Sequence, residues 1–446
     1  MIHGALAVEQ RPAGAQVRVS REARPALSIE RPGGVQDPDD RVLLHVVDVH
    51  HAVLRQRRPA RHPAHPRQHR SDVHAAHRCN VRSRHGALIG TGDRLIGGRY
   101  RRGETVPRPF RDRSMAESTL DTVRLGMTRL DVSPIAFGAW QLGGEWGQFD
   151  ADEAVAAIRH ARSLGVNLFD TAQGYGFGAS EQVLGQALRD DLDNRRDEVV
   201  LATKGGLRMT DDGLVRDSSP EWLRTGVDDS LRALEVDHVD LYQVHWPDPV
   251  VPFAETAGAL EELVQEGKIG HVGVSNFDAA QMAEFARTRP VETLQPPYHL
   301  FRRDIEADVL PYCREHDIGV LAYGPLAHGL LTGALDEDTT FAPDDWRSGA
   351  PFFKGEEYRR NVQVVHELER FASEELGVSV SRLAIAWALA NPAVQVAIVG
   401  ARSPRHIEDS VGAAKLRLSQ DELDQIDRIV SSAVPLPGPS PEMMPE

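Results

Sequence analysis

The sequence predicts an α/β protein built as a closed (β/α)8 barrel, the TIM-barrel fold. From residue 132 onward, short β-branched or apolar runs alternate with helical periods, which indicates βα units and a parallel sheet. Eight units fit in about 330 residues, which favours a closed barrel over an open sheet. A doubly wound dinucleotide fold would need Gly-x-Gly-x-x-Gly after its first strand, and the nearest match, GTGDRL at 90–95, lacks the last glycine.

Each predicted strand is short and is followed by a helical stretch. The eight strands are expected at 133–139, 167–171, 198–203, 239–245, 270–275, 292–296, 318–323 and 395–399.

Helix signals support this alternation of strands and helices. Ser219-Pro220 places an N-cap before a first-turn proline, SQDE at 419–422 reads as a capping box, and AVAAIRHARSLG ends at Gly165. Before the first strand, TVRLGMTRLDVS predicts an N-terminal β-hairpin around Gly126-Met127 that closes the barrel floor. The long stretch 327–380, after the seventh strand, is expected to be a loop and extra helices over the mouth.

Charge divides the chain into two segments. The whole chain has a formal net charge of −15, yet residues 1–114 contain 22 Arg, no Lys and 11 acidic residues, so the remainder is strongly acidic. An acidic body repels polyanions, so we expect no nucleic-acid binding by residues 115–446. We therefore predict an extension at 1–114 and a barrel domain at 115–446.

The extension is rich in Arg, His and Pro and has no period that could bury a face, which predicts disorder. Two functional interpretations remain open, a nucleic-acid tail and a metal site. The candidate metal ligands are His62, His65, His69, His74, His77 and Cys79. A third interpretation is that the segment is a start-site artefact and that translation starts at Met115, where ordered patterning begins.

Other features narrow the class of protein. The chain has no apolar run of about 18 residues for a membrane span and no signal-peptide pattern at its N-terminus. Cys79 and Cys313 are too few for a disulfide framework or a zinc cluster, which suits a reducing compartment. We expect a cytoplasmic protein without a membrane partner, and the oligomeric state is left open.

Ionisable residues follow three successive predicted strands. Asp170 ends the second strand, with Tyr175 just beyond it, Lys204 follows the third, and His245 ends the fourth. The carboxyl ends of barrel strands meet at one mouth, so these side chains should converge on one pocket.

Together these residue types form a proton-donating device. An unperturbed tyrosine has a pKa of about 10, and a neighbouring ammonium favours its phenolate form. Lys204 is the candidate ammonium, Asp170 the carboxylate that keeps it charged, and His245 the group that orients a substrate oxygen against Tyr175.

The body resembles the aldo-keto reductases, (β/α)8 barrels that reduce carbonyl compounds with NADPH. Seven motifs in family order carry the resemblance across about residues 119–432: FDTAQGYG (169–176), ATKGG (202–206), LYQVHWPD (241–248), GVSNF (273–277), LQPPYHLFRR (294–303), AYGPLAHGLLTG (322–333) and IVGARSPRHIEDS (398–410).

The resemblance implies an NADP-dependent aldo-keto reductase that acts on a small-molecule carbonyl substrate. Tyr175 would be the general acid, Lys204 and Asp170 its tuners, and His245 the substrate-orienting residue. The implied cofactor-binding residues are Ser275, Asn276, Gln295, Tyr323, Gly324, Pro325, Leu326, Gly400, Arg402, Arg405, His406, Asp409 and Ser410. Of these, Ser275, Asn276 and Gln295 would bind the nicotinamide carboxamide, Tyr323 would stack on the ring, and Gly324 to Leu326 would follow the pyrophosphate.

NADP is favoured over NAD for a physical reason. A helix that starts near Ser403-Pro404 offers free N–H groups, and Arg402, Arg405 and His406 supply positive charge suited to a 2′-phosphate. Trp140 and Trp246 are candidate substrate-pocket residues, with simple packing as the other interpretation.

The sequence departs from the family pattern at two positions. Family members often have Asn where this chain has His299 and Ser410, which weakens the expected adenine contacts at Ser410. A non-catalytic, NADP(H)-binding redox-sensing or regulatory subunit is the alternative function, and the complete set of four catalytic residue types favours the enzyme.

Overall fold

The predicted barrel is present. In the computed structural model, which describes residues 120–144, 146, 150–211 and 213–436, eight parallel strands form a closed sheet. In chain order the strands are β1 (Val123–Arg124), β2 (Asp131–Val132), β3 (Ile135–Gly138), β4 (Leu168–Asp170), β5 (Val200–Gly205), β6 (Leu207–Thr210), β7 (Gly213–Arg216), β8 (Val239–Val244), β9 (Ile269–Ser275), β10 (Thr293–Gln295), β11 (Gly319–Tyr323) and β12 (Val396–Gly400). The barrel runs β3-β4-β5-β8-β9-β10-β11-β12 and closes on β3, and each of its strands overlaps one of the predicted segments.

Helices surround the barrel. They are α1 (Ala151–Ser163), α2 (Ala179–Ala187), α3 (Arg189–Asn194), α4 (Pro220–Leu234), α5 (Phe253–Gln265), α6 (Ala279–Phe285), α7 (Val309–Glu315), α8 (Gly355–Phe371), α9 (Val380–Ala390), α10 (Pro404–Gly412) and α11 (Gln420–Val430). The Ser219 side chain caps α4, and Ser419 and Glu422 form the predicted capping box of α11. No helix within the described residues combines the length and apolar character needed to cross a bilayer.

The barrel interior has an apolar layer below a polar one. On β5, Val200 and Ala202 belong to the interior apolar cluster, and Lys204 continues the same face two residues on. On β4, Leu168 and Asp170 follow the same two-residue step. Because strand side chains alternate between faces, β4 and β5 each place a polar group in the mouth of the barrel.

An N-terminal hairpin closes the other end of the barrel, as predicted. Strands β1 and β2 pair antiparallel around a 3-10 turn at Gly126–Thr128, and Leu125 is buried in the interior cluster. The Met127 backbone N–H donates to the Asp317 carbonyl at 2.8 Å. A Cβ at Gly126 would lie 2.3 Å from the Gly319 backbone nitrogen, so only glycine allows this close approach.

The segment after β11 supplies the predicted loop and extra helical structure. It contains 3-10 turns at Ala327–Thr332, Trp346–Ser348 and Pro351–Phe353, followed by α8 and a π-helical turn at Ala372–Leu376. A further hairpin of β6 and β7, which the sequence analysis did not anticipate, follows β5. Gly213 at its turn has φ of 111°, a conformation that glycine adopts without strain.

Four predictions fall outside the described residues. They are the disorder of 1–114, the candidate metal ligands within that segment, the start at Met115 and the domain boundary there.

Candidate active site

Four predicted catalytic residues come together at the carboxyl end of the barrel. Asp170 ends β4, Lys204 lies near the end of β5, and His245 directly follows β8. Tyr175 lies in the turn between β4 and α2, where Gly176 has φ of 64°. A Cβ at Gly176 would lie 2.6 Å from the Gly143 carbonyl oxygen, so a glycine lets the next loop pack against this turn.

The Lys204 ammonium is the centre of the site. Its Nζ donates to Asp170 Oδ1 at 2.7 Å, to the Thr171 carbonyl at 2.9 Å and to Tyr175 Oη at 3.2 Å. Its side chain is 1% exposed, and that of Asp170 is 4% exposed. All three N–H directions of the ammonium therefore have acceptors, which is the condition under which a buried charge is tolerated.

The second oxygen of Asp170 is also bound. Gln295 Nε2 donates to Asp170 Oδ2 at 2.8 Å, and the more distant Gln243 Nε2 lies at 3.4 Å from the same atom. These amides come from β10 and β8, so two further strands of the barrel hold the carboxylate. A carboxylate fixed in this way fixes the ammonium next to the phenol.

His245 faces the same phenol. Its ring lies 5.5 Å from that of Tyr175, centroid to centroid, in an edge-on arrangement. Its backbone N–H donates to the Gly205 carbonyl at 2.9 Å, and its carbonyl accepts from Asn276 Nδ2 at 3.0 Å. Phenol and imidazole therefore border the same space from two strand ends.

The predicted nicotinamide-binding residues form one hydrogen-bonded group. Ser275 Oγ donates to the Gln295 carbonyl at 2.8 Å, and Asn276 Nδ2 donates to Ser275 Oγ at 3.1 Å. Tyr323 Oη donates to Asn276 Oδ1 at 2.9 Å. Asn276 has φ of 62°, a left-handed conformation. This backbone conformation and the hydrogen bonds of Asn276 together fix the direction of its side chain.

One cavity of about 840 Å³ is lined by these groups and by residues at the end of β12 and in α10. Asp170, Tyr175 and His245 line it, while Lys204 lies behind them. All thirteen predicted cofactor residues line the same cavity: Ser275, Asn276, Gln295, Tyr323, Gly324, Pro325, Leu326, Gly400, Arg402, Arg405, His406, Asp409 and Ser410. Helix α10 begins at Pro404 with Ser403 at its N-cap position, as the sequence predicted.

The two candidate substrate-pocket tryptophans lie in different surroundings. Trp140 lines the cavity, with its ring 6.2 Å from that of Tyr175. Trp246 instead packs with Leu207 and Leu214 of the β6–β7 hairpin, and the Arg216 guanidinium lies 5.2 Å from its ring. Trp246 does not belong to the described cavity lining, so the structure does not place it with the other predicted site residues.

Three features of the site were missed by sequence reasoning. Gln243 of β8 continues the inward face from Leu241, so the two-residue period of the strand could have revealed it. Trp146 and Trp346 complete an aromatic wall around Trp140, with ring centroids 4.8 Å and 6.1 Å from it. Trp346 comes from the long insert, whose position over the mouth no local pattern reveals.

The third missed feature is an ion pair in the insert. Arg347 donates to Asp345 through Nε at 3.0 Å and Nη2 at 2.6 Å, and its guanidinium lies 5.0 Å from the Trp146 ring. Burial acts to raise the pKa of the Asp345 carboxyl, but hydrogen bonds and charge from Arg347 hold that pKa below its usual range. Arg347 lines the cavity and ties the insert to the loop after β3.

Comparisons with known proteins agree with this geometry. Residues 134–431 match the family model described as the aldo/keto reductase family. The chain is 39% identical over 318 residues to the aldo-keto reductase YhdN of Bacillus subtilis, and the matched region covers 71% of this chain and 95% of that protein.

Solved structures give the same result. The glycerol dehydrogenase AKR11B4 of Gluconobacter oxydans is similar with a TM-score of 0.64 and 40% identity, covering 71% of this chain and 97% of that one. An aldo/keto reductase from Klebsiella pneumoniae, in complex with NADP and acetate, has a TM-score of 0.55 and 31% identity at the same coverage. With the barrel, the converging strand ends and these matches in agreement, the chain belongs to the aldo/keto reductase family.

Proposed function

We propose that the protein reduces an aldehyde or ketone with NADPH, and runs the reverse alcohol oxidation, with Tyr175 as the general acid. The observation that supports this most strongly is the Lys204 ammonium, which donates to both Asp170 and the Tyr175 hydroxyl within a buried site. A solvated surface lysine or a packing tyrosine would not need this arrangement.

Each residue has one task in this proposal. The Tyr175 hydroxyl hydrogen-bonds the carbonyl oxygen of the substrate and gives it a proton as the carbon is reduced, leaving a phenolate. The Lys204 ammonium stabilises that phenolate, and Asp170 keeps the ammonium fixed and charged. His245, on the other side of the same space, orients the carbonyl oxygen toward Tyr175.

The cavity fits a nicotinamide nucleotide in size and in its polar groups. Its volume lies within the range of about 300–1,000 Å³ that small-molecule and cofactor sites occupy. Ser275, Asn276 and Gln295 offer amide and hydroxyl groups beside the catalytic end, where a carboxamide would bind. Arg402 and Arg405 supply cations where the chain passes from β12 into α10, and a 2′-phosphate would bind there.

When bound, NADPH supplies the hydride that adds to the carbonyl carbon. The related Klebsiella pneumoniae structure, whose complex contains NADP, supports this choice of nucleotide. Trp140, at the catalytic end, would contact the part of the substrate beyond its carbonyl group.

Reduction of 4-nitrobenzaldehyde, followed by loss of NADPH absorbance, tests the proposal. Tyr175→Phe should lower kcat by a factor of about 100 to 10,000, because the phenyl ring has no proton to give. Its NADPH Kd, measured by titration of tryptophan fluorescence, should change little. Tyr312→Phe, on an outer helix, is the matched control and should retain wild-type turnover.

The outcomes separate the two functions. Equal turnover by wild type and Tyr175→Phe would show that Tyr175 is not the acid. NADPH binding by wild type without turnover of a panel of aldehydes and ketones would instead support the regulatory subunit.

A further inference from the structure

A carboxylate lies at the end of the cavity where the phosphate-binding cations are expected. Asp409 of α10 lines the cavity together with Arg402 and Arg405. Like charges repel, so an uncompensated carboxylate here would disfavour a nucleotide that carries an additional 2′-phosphate. The state of the Asp409 charge therefore bears on which nucleotide this end accepts.

Two residues at the start of the preceding helix hold that carboxylate. Ser379 Oγ donates to Asp409 Oδ2 at 2.6 Å, and the Arg382 guanidinium lies 3.2 Å from Asp409 Oδ1. Arg382 Nε also lies 3.4 Å from the Asp409 backbone carbonyl oxygen. Each carboxylate oxygen thus has a donor from the α9 start, and one of these donors carries a full positive charge.

The surroundings fix both donors. Ser379 is the N-cap of α9 and accepts from the Arg382 backbone N–H at 3.1 Å, so one hydroxyl caps the helix and binds Asp409. Helix α10 makes room for the guanidinium at Gly412, where an added Cβ would lie 2.5 Å from the Arg382 guanidinium carbon. An alanine at Gly412 would displace Arg382 without changing any charge.

We propose that Arg382 is a specificity-determining residue, which favours NADP over NAD by neutralising Asp409. This inference rests on the proposed NADP-dependent function and extends it to a residue outside the described cavity lining. Arg382 acts through Asp409, whereas Arg402 and Arg405 line the cavity themselves. The charge balance at this end becomes favourable for a phosphate because the one carboxylate from α10 in the lining is compensated.

The expected effect is moderate because the pair is partly solvated. The Arg382 and Asp409 side chains are 33% and 37% exposed, so water and salt screen their charges. We therefore expect a change of about fivefold to tenfold in nucleotide preference.

Equilibrium binding tests the inference without any substrate. The Kd values of NADP⁺ and NAD⁺ are measured by fluorescence titration of the full chain at low salt, and the Kd ratio is compared among variants. Arg382→Met should weaken NADP⁺ binding about fivefold to tenfold with less than a twofold change for NAD⁺. Gly412→Ala should shift the ratio in the same direction, and Arg370→Met, a surface arginine of α8, should leave it unchanged.

A double mutant identifies the path of the effect. In an Asp409→Asn background no carboxylate remains to be neutralised, so Arg382→Met should change the ratio less than about twofold. An undiminished effect in that background would show that Arg382 acts directly on the nucleotide and would overturn the inference. Melting curves confirm that each variant is folded.

The failure modes are distinct. A wild type that binds neither nucleotide removes the proposed function and this inference with it. A wild type that binds NADP⁺ tightly, with the same Kd ratio in Arg382→Met, leaves the proposed function intact and rejects the role of Arg382.

Discussion

The two ends of the cavity use charge in different ways. At the catalytic end, Asp170 and Lys204 are almost fully buried, and each oxygen of the carboxylate has a donor. At the α10 end, the Arg382–Asp409 pair is about one-third exposed and joins the start of α9 to the second half of α10. The first pair sits on barrel strands, and the second lies in the outer helical layer.

This difference predicts how each end responds to substitution. A buried charge that loses its partner keeps its full desolvation cost, whereas a partly exposed one is solvated by water. Changes at the strand ends should therefore disable and destabilise the protein together. Changes in the outer layer should produce graded effects on selectivity.

The largest effect is expected for Lys204→Met. It leaves Asp170 buried without its cation, so the free energy of unfolding should fall by about 3–5 kcal/mol. Carbonyl reduction should fall by at least about a thousandfold, because the phenolate of Tyr175 loses its stabilising ammonium. Urea denaturation and steady-state kinetics measure the two quantities.

A second substitution tests the cause. Asp170→Asn combined with Lys204→Met removes both charges, so it should recover most of the stability but none of the activity. If Lys204→Met alone were as stable as wild type, the buried end would not depend on pairing as described.

The next effect concerns side-chain packing against the strand that carries Lys204. A Cβ at Gly205 would lie 1.8 Å from the Tyr242 hydroxyl oxygen, so Gly205→Ala must displace buried atoms. We expect a loss of about 1–3 kcal/mol in unfolding free energy, with partial recovery when Tyr242→Phe removes that oxygen. Thermal denaturation of the two single mutants and the double mutant measures the coupling, and simple additivity would contradict this contact.

The two tryptophans give a smaller and more selective effect. Trp140→Ala should raise KM for an aromatic aldehyde about tenfold, because this ring lines the cavity beside Tyr175. Trp246→Ala should lower stability while changing KM less than about threefold, since Trp246 packs against the β6–β7 hairpin. Equal changes in KM for Trp140→Ala and Trp246→Ala would indicate that Trp246 also contributes to the substrate pocket.

The smallest effect is expected in the pH dependence of stability. Burial, reinforced by the charges of His328 and Arg302, lowers the pKa of His299 well below its ordinary value of 6.5. The unfolded chain therefore binds a proton that the folded protein does not, and stability is lost as pH falls below about 6.5.

His299→Asn removes this titration. It should flatten the pH dependence by about 1–2 kcal/mol between pH 7.5 and pH 5. Denaturation midpoints at the two pH values provide the measurement, and His316→Asn, on an exposed helix end, is the control. A wild type and His299→Asn with parallel pH profiles would show that His299 is protonated equally in both states.

Much of the barrel could be predicted because each strand carries its own signal. Runs such as VVLAT at 199–203 are apolar on both faces, as buried parallel strands are, and the polar residue that follows marks the mouth. The convergence of Asp170, Lys204 and His245 then follows from strand direction alone. The family resemblance supplied the roles of these residues and the cofactor residues.

The features that were missed depend on contacts between distant segments. Trp346 and Arg347 reach Trp146 from an insert about 200 residues later, and no local period encodes that return. Trp246 adjoins His245 in sequence, yet its ring points to a hairpin that was not anticipated. The Arg382–Asp409 pair likewise joins two helices whose separation is visible only in three dimensions.

The hairpin at the barrel floor limits the routes by which ligands can enter and leave the barrel. With Leu125 seated in the interior and Gly126 pressed against the Gly319 backbone, the barrel is a blind well rather than a channel. Under the proposed function, the nucleotide and the carbonyl compound would both arrive through the mouth of the barrel. If the proposed function is correct, the molecule in the deeper position should enter first and depart last.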